Sequence, residues 1–309
     1  MKWSREVTLA LLLSVLMLVA SVLEPRFATV RAQALLFTHL WELAIVSVPM
    51  LLIIISAGID LSVGAMVALS AVVFGLLFER GIPLPIAAFF SLSTGAAIGA
   101  TNGWFISRLK VHPLLVTLAT MAAFRGVAEG ISLARPISGY PDGFLLISQG
   151  GWPVILFASL AVAAHLLLTK TQFGRWIVAI GTQENVAIFS GLPVARVKLL
   201  LYTFSGFACG LAALILVARN NTAKADLGMG MELDAITAVI LGGASIAGGK
   251  GRALGLVLGL LLIHETREFV SWHWRQNELN LIVIGSLLLV TVLLERIPSK
   301  RQPQQIEQH

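Results

Sequence analysis

Long apolar runs with few charges recur along almost the whole chain, and they limit what it can fold into more than any other feature. The runs are 7–23, 39–57, 61–78, 83–107, 113–133, 152–169, 197–218, 232–248, 252–268 and 278–294. Runs of roughly 17 to 25 residues match the helix length needed to cross about 30 Å of hydrocarbon. Lipid offers no partner to a backbone N–H or C=O, so a chain of such runs must bond within each segment, as helices do. The pattern therefore predicts an all-α polytopic membrane protein with about ten transmembrane helices. Composition excludes a soluble core as the explanation. Hydrophobic residues are 57% of the chain and charged residues 12%, about half the usual charged fraction, which leaves too little polar sequence to cover a soluble surface. The first run follows Lys2 and Arg5 and ends at Val22-Leu23-Glu24-Pro25. It is long for a secretory leader and a poor cleavage site, so it reads as an uncleaved first span.

The net charge of +6 reads as basic cytoplasmic loops rather than a nucleic-acid surface. With the N-terminus inside, Lys2, Arg5, Arg108, Lys110, Lys170, Arg175, Arg196, Lys198, Lys250, Arg252, Arg296, Lys300 and Arg301 fall on the cytoplasmic side. Fewer basic residues fall outside, so both termini are expected in the cytoplasm. Residues 1–297 form one transmembrane domain on this reading, and the polar tail 298–309 is expected to be disordered.

Two glycine sets share a spacing of four: Gly95, Gly99 and Gly103, then Gly251, Gly255 and Gly259. Such spacing gives a flat helix face for close packing. The sets fall in the fourth and ninth runs, as inverted repeats of runs two to five and seven to ten would place them. Glycine is common in such chains, and coincidence accounts for the spacing as well. Charges inside the membrane are costly and need a reason. Glu42 and Asp60 flank the second run, Arg125 and Glu129 sit four apart as a pair would, and Asp234 opens the eighth. For each, a structural role competes with the lining of a polar pathway. Asp60 is the strongest pathway candidate because Ser56, Gly58, Ser62 and Gly64 around it mark a helix break; Ser62 is placed on the pathway with it, and Asn102 is a weaker candidate.

Bond chemistry is not indicated, and no residue qualifies as catalytic. The six histidines (His39, His112, His165, His264, His273, His309) show no ligand spacing, HExxH and GxSxG are absent, and Cys209 reads as a packing residue, so no metal site is expected. GGASIAGGKGR resembles a phosphate loop but fails, with Ala244 where the first glycine belongs and Gly251 where Ser or Thr should hold magnesium. This chain is expected to bind no cofactor.

Against this apolar background, TQFGRWIVAIGTQENVAIFSGLPVARVK, Thr171 to Lys198, stands out as polar and basic. It holds a short helix from Glu184 to Ser190, stopped by Gly191 and Pro193, and a polar helix held outside the membrane implies a partner. Four stretches now carry a family resemblance: SAGIDLSVGAMVALSA (Ser56 to Ala71), LATMAAFRGVA (Leu118 to Ala128), FGRWIVAIGTQENVAIFSGLPVARVK (Phe173 to Lys198) and DLGMGMELDAITAVILGGASIAGGKG (Asp226 to Gly251). In this order they resemble the permease subunit of bacterial ABC importers for monosaccharides, the branch with the ribose, xylose, rhamnose and autoinducer-2 systems. The resemblance implies the ABC importer permease fold, a dimer with an identical or related permease, a cytoplasmic ABC ATPase holding ATP and magnesium, and a periplasmic sugar-binding protein, all at the bacterial inner membrane. It implies that Glu184, Ala187, Gly191 and Pro193 dock the ATPase, with Gly174 and Arg175 leading into that segment. Phe189 and Leu192 depart from the ribose branch, and Ala218 to Ile236 looks closer to the rhamnose and autoinducer-2 branch. The outer loops 134–151 and 219–231 are expected to meet the binding protein. The rival reading is an ion-coupled secondary sugar transporter that works alone.

Overall fold

The computed structural model describes residues 5–274 together with 279, 280, 282, 283, 285–287 and 289. The tenth run therefore falls mostly outside the described residues, and the tail 298–309 falls wholly outside them.

The described chain is mostly helical. Helices α1 (Arg5–Leu23), α2 (Val30–Leu36), α3 (Trp41–Ile55), α4 (Val63–Glu79), α5 (Leu84–Arg108) and α6 (Pro113–Ser132) make up the first half. They are followed by α7 (Asp142–Leu145), α8 (Trp152–Lys170), α9 (Gln172–Thr182), α10 (Glu184–Phe189), α11 (Val194–Asn220), α12 (Met231–Leu241) and α13 (Ala253–Trp274). Prolines mark several starts: α5, α6 and α8 each carry Pro in the first two positions, where the missing N–H would have no helical partner anyway. Among the described residues, α1, α5, α6, α8 and α11 are long and apolar enough to cross a membrane, and α2 with α3, bent by 52°, makes a sixth. The chain is thus a multi-pass helical membrane protein.

Two runs are shorter as helices than the apolar pattern predicts. The run 39–57 yields α3 only from Trp41, because a 3-10 turn at Phe37–His39 precedes it. The run 232–248 stops at Leu241, where Gly242 and Gly243, the latter at φ 99°, end α12.

Helix α3 is the centre of the bundle. Every residue after Trp41 is buried, and α8, α9, α11, α12 and α13 pack around it. α1, α5, α6 and α8 instead show large apolar side chains outward, among them Leu18, Phe89, Leu115 and Ile155. In lipid those residues face hydrocarbon as apolar as themselves, so helix association depends on close packing and polar contacts. The closest packing joins α5 to α11. A Cβ on Gly95 or Gly99 would overlap the carbonyl oxygens of Gly206 and Tyr202, so only glycine admits this approach. Gly103 meets Leu199 on the same seam. Gly255 and Gly259 make the equivalent approach between α13 and α12 at Gly242 and Ala238. Gly251 departs from the pattern: it precedes α13, and a Cβ there would press on Ile55 and Leu51 of α3.

The two broken regions, 56–62 and 242–252, meet each other. Gly249 N donates to Ile55 O at 2.8 Å, and Gly181 of α9 lies against the same carbonyl. Irregular backbone within a membrane protein needs such internal partners.

Candidate functional site

The polar segment 171–198 forms three elements around tight turns. Thr171 caps α9, its Oγ1 accepting from Gly174 N at 3.1 Å, and Gly174 lets α9 fold back against Leu167 and Leu168 of α8. Arg175 is exposed beside it. α10 follows at Glu184, an acidic residue suited to a helix start. Glu184 Oε2 accepts from Lys198 Nζ at 2.6 Å, tying α10 to α11 through a lysine that is itself buried. Ala187 faces inward, and Gly191, at φ 76°, ends the turn before Pro193 caps α11. The outward face of α10 is apolar: Val186 and Ile188 are exposed, and Phe189 is 90% exposed.

Asp60, Ser62 and Asn102 come together in the core with Ser205 of α11. Asp60 Oδ1 accepts from Ser62 N at 3.0 Å and Ser62 Oγ at 2.6 Å, and Asp60 Oδ2 accepts from Ser205 Oγ at 3.0 Å. Asn102 Nδ2 donates to Ser62 Oγ at 2.8 Å. Tyr202 donates to the neighbouring Ile59 carbonyl at 3.1 Å. All of Asp60, Ser62, Asn102 and Ser205 are fully buried, so this network clamps the 56–62 break to α5 and α11 in this conformation.

Other intramembrane charges find partners that spacing alone does not reveal. Arg125 does not hydrogen-bond to Glu129. Its Nη1 donates to Ala225 O at 2.5 Å and Leu227 O at 2.9 Å, because the 224–230 loop folds over α6. Glu42 accepts from Arg219 at 2.8 Å, and Asp234 pairs with Arg267. His39 Nδ1 lies 3.1 Å from Glu268 Oε1. No group of three metal-ligating side chains is present among the described residues.

At the end of α11 remote from α10, a two-stranded ribbon pairs β1 (Ile137–Ser138) with β2 (Thr222–Ala223), matching Ile137 to Ala223 and Ser138 to Thr222. It straps together the loops 134–151 and 219–231. Arg135 forks onto Glu79 at 2.6 and 2.5 Å, and those bonds push the guanidinium above its usual value. Tyr140 stacks among Phe74, Phe78 and Phe144, and burial pushes its phenol up.

Comparison with known proteins places this geometry in a family. The family model described as "Branched-chain amino acid transport system / permease component" matches residues 34–292. The Autoinducer 2 import system permease protein LsrD of Escherichia coli strain SMS-3-5 is 32% identical over 312 residues, covering 97% of this chain and 94% of the relative. The same protein of Shigella flexneri is 32% identical with the same coverage. No solved structure matches the chain. With the match running through the broken helices and the polar segment 171–198 alike, the chain belongs to the family of permease components of branched-chain amino acid transport systems.

Proposed function

We propose that the chain is the membrane subunit of an ATP-driven ABC importer in a bacterial inner membrane, with both termini cytoplasmic. Its solute is autoinducer-2 or a monosaccharide of similar size and polarity. The relatives named above support the solute class, since their printed name is that of an autoinducer 2 import permease. The observation that carries the coupling role is α10: a short helix pinned to α11 by Glu184–Lys198, with Phe189 90% exposed beside Gly191. A partner ATPase holding ATP and magnesium grips this helix. ATP binding there moves α9 and α10, and that motion enters the bundle through α11 and the 242–252 loop.

On this reading, a periplasmic binding protein delivers the solute to the strapped loops 134–151 and 219–231. Two permease copies, identical or related, enclose the pathway. About ten helices per copy in inverted repeats would span the membrane. The contact between two broken regions, one in each half, supports the repeat. Asp60, Ser62 and Asn102 are closed in this conformation and would reach the pathway when the α5–α11 seam shifts. The chain performs no bond chemistry; it supplies a conformational equilibrium that its partners bias.

Affinity purification from detergent-solubilised membranes tests this. A partner ATPase should co-purify with the wild type and be lost from Phe189→Asp and Gly191→Asp. Equal recovery with all three chains would remove the coupling role from α10.

A further inference from the structure

A groove of about 690 Å³ opens between the turn joining α5 to α6 and the start of α11, beside α10. Its lining carries more positive charge than it matches. Arg108, Lys110, Arg196 and Lys198 line it, against one acid, Glu184. Glu184 is already taken by Lys198 Nζ at 2.6 Å. His112 is engaged as the cap of α6, its Nδ1 accepting from Leu114 N at 3.3 Å. Arg108, Lys110 and Arg196 are exposed, and their side chains have no ion pair or hydrogen bond among the described residues.

The helices around these cations set the level of the groove in the membrane. Arg108 ends α5, Pro113 starts α6 and Val194 starts α11, and all three helices are long and apolar enough to span. The groove therefore lies at the shared end of three spans. Trp104, one turn before Arg108, is exposed, as tryptophan often is at a membrane–water boundary. α6 leads away from the groove with Leu114, Leu115 and Leu118 exposed.

We propose that this groove holds the headgroup of an anionic phospholipid, with the acyl chains along the exposed apolar face of α6. The lipids of one leaflet place their phosphates at this level, and basic pockets between transmembrane helices hold anionic headgroups. The phosphate oxygens accept from the Arg108 and Arg196 guanidiniums, and Lys110 adds a point charge. A zwitterionic headgroup would bring an ammonium against three unmatched cations. A free phosphate would bring the charge but no chains to cover α6. Asn185 and Ile188 of α10 also line the groove, so its occupant touches the helix assigned above to the ATPase. The proposal itself needs only a chain that spans the membrane, and it goes beyond the importer reading.

The test is native mass spectrometry of the full chain in detergent, titrated separately with phosphatidylglycerol, phosphatidylethanolamine and glycerol 3-phosphate. Phosphatidylglycerol should bind saturably and about tenfold or more tightly than either other probe. The groove variant Arg108→Gln/Lys110→Gln/Arg196→Gln should weaken it about tenfold or more. The control Arg26→Gln/Arg31→Gln/Arg80→Gln removes the same charge from exposed positions outside the groove and should not weaken it. If the groove variant fails to fold, Lys110→Gln alone decides, with an expected loss of about threefold. Equal binding of the two lipids overturns the proposal. So does affinity that the groove variant leaves unchanged, or that the control lowers equally. Glycerol 3-phosphate binding as tightly as the anionic lipid would make this a site for soluble phosphate instead. ATPase recovery lost from the groove variant with lipid binding intact would give the groove to an acidic protein surface. No ATPase enters the titration, so this proposal and the importer reading fail separately.

Discussion

At the residue scale, the buried polar side chains divide by whether their partners are near in sequence. Asp60 and Ser62 share one turn, and the break around them is readable from SAGIDLS. Their closure onto Ser205 and Asn102 is not, because nothing local ties these residues together. Asp60→Ala would strand Ser62 N, Ser62 Oγ and Ser205 Oγ and should destabilise the chain by about 3 kcal/mol or more. Asp60→Asn keeps an acceptor for Ser62 and should cost about 1 kcal/mol. Thermal unfolding in detergent would rank the two, and equal losses would mean the network does not hold the break. Arg125 teaches the converse. Four-residue spacing suggests Glu129, yet the guanidinium holds the carbonyls of Ala225 and Leu227. Arg125→Leu should therefore speed hydrogen exchange across residues 224–230, and Glu129→Gln should not.

At the scale of elements, glycine spacing does not name the partner a close-packed helix meets. Gly95 and Gly99 meet glycine on α11, which the sequence does not pair with α5. Gly99→Leu forces backbones apart on this seam and should cost about 3 kcal/mol or abolish folded yield. Gly126 on α6 has nothing within 4 Å of a built Cβ, so Gly126→Ala should instead stabilise by about 0.5–1 kcal/mol. Melting curves of the two variants moving the same way would contradict this account of the seam. The short helix α10 and its Gly191–Pro193 stop were legible because both ends carry local signals. The ribbon between β1 and β2 was not, since two-residue strands leave no periodicity to read.

At the scale of the whole molecule, apolar run length was enough to indicate a multi-pass helical bundle, and the family match agrees. Run length does not reveal which helix lies at the centre. α3 holds that place because its neighbours bury it on every side, whereas α1, also apolar, turns large side chains such as Leu18 outward. The central claim is that this chain imports solute only as driven by a partner ATPase at α10. Its most direct measurement is autoinducer-2 uptake into proteoliposomes holding the chain, with or without the co-purified ATPase, after an ionophore has collapsed all ion gradients. The account predicts uptake that needs the ATPase, its ATP and the binding protein, and that persists without gradients. Uptake by the chain alone, abolished by the ionophore, would contradict it.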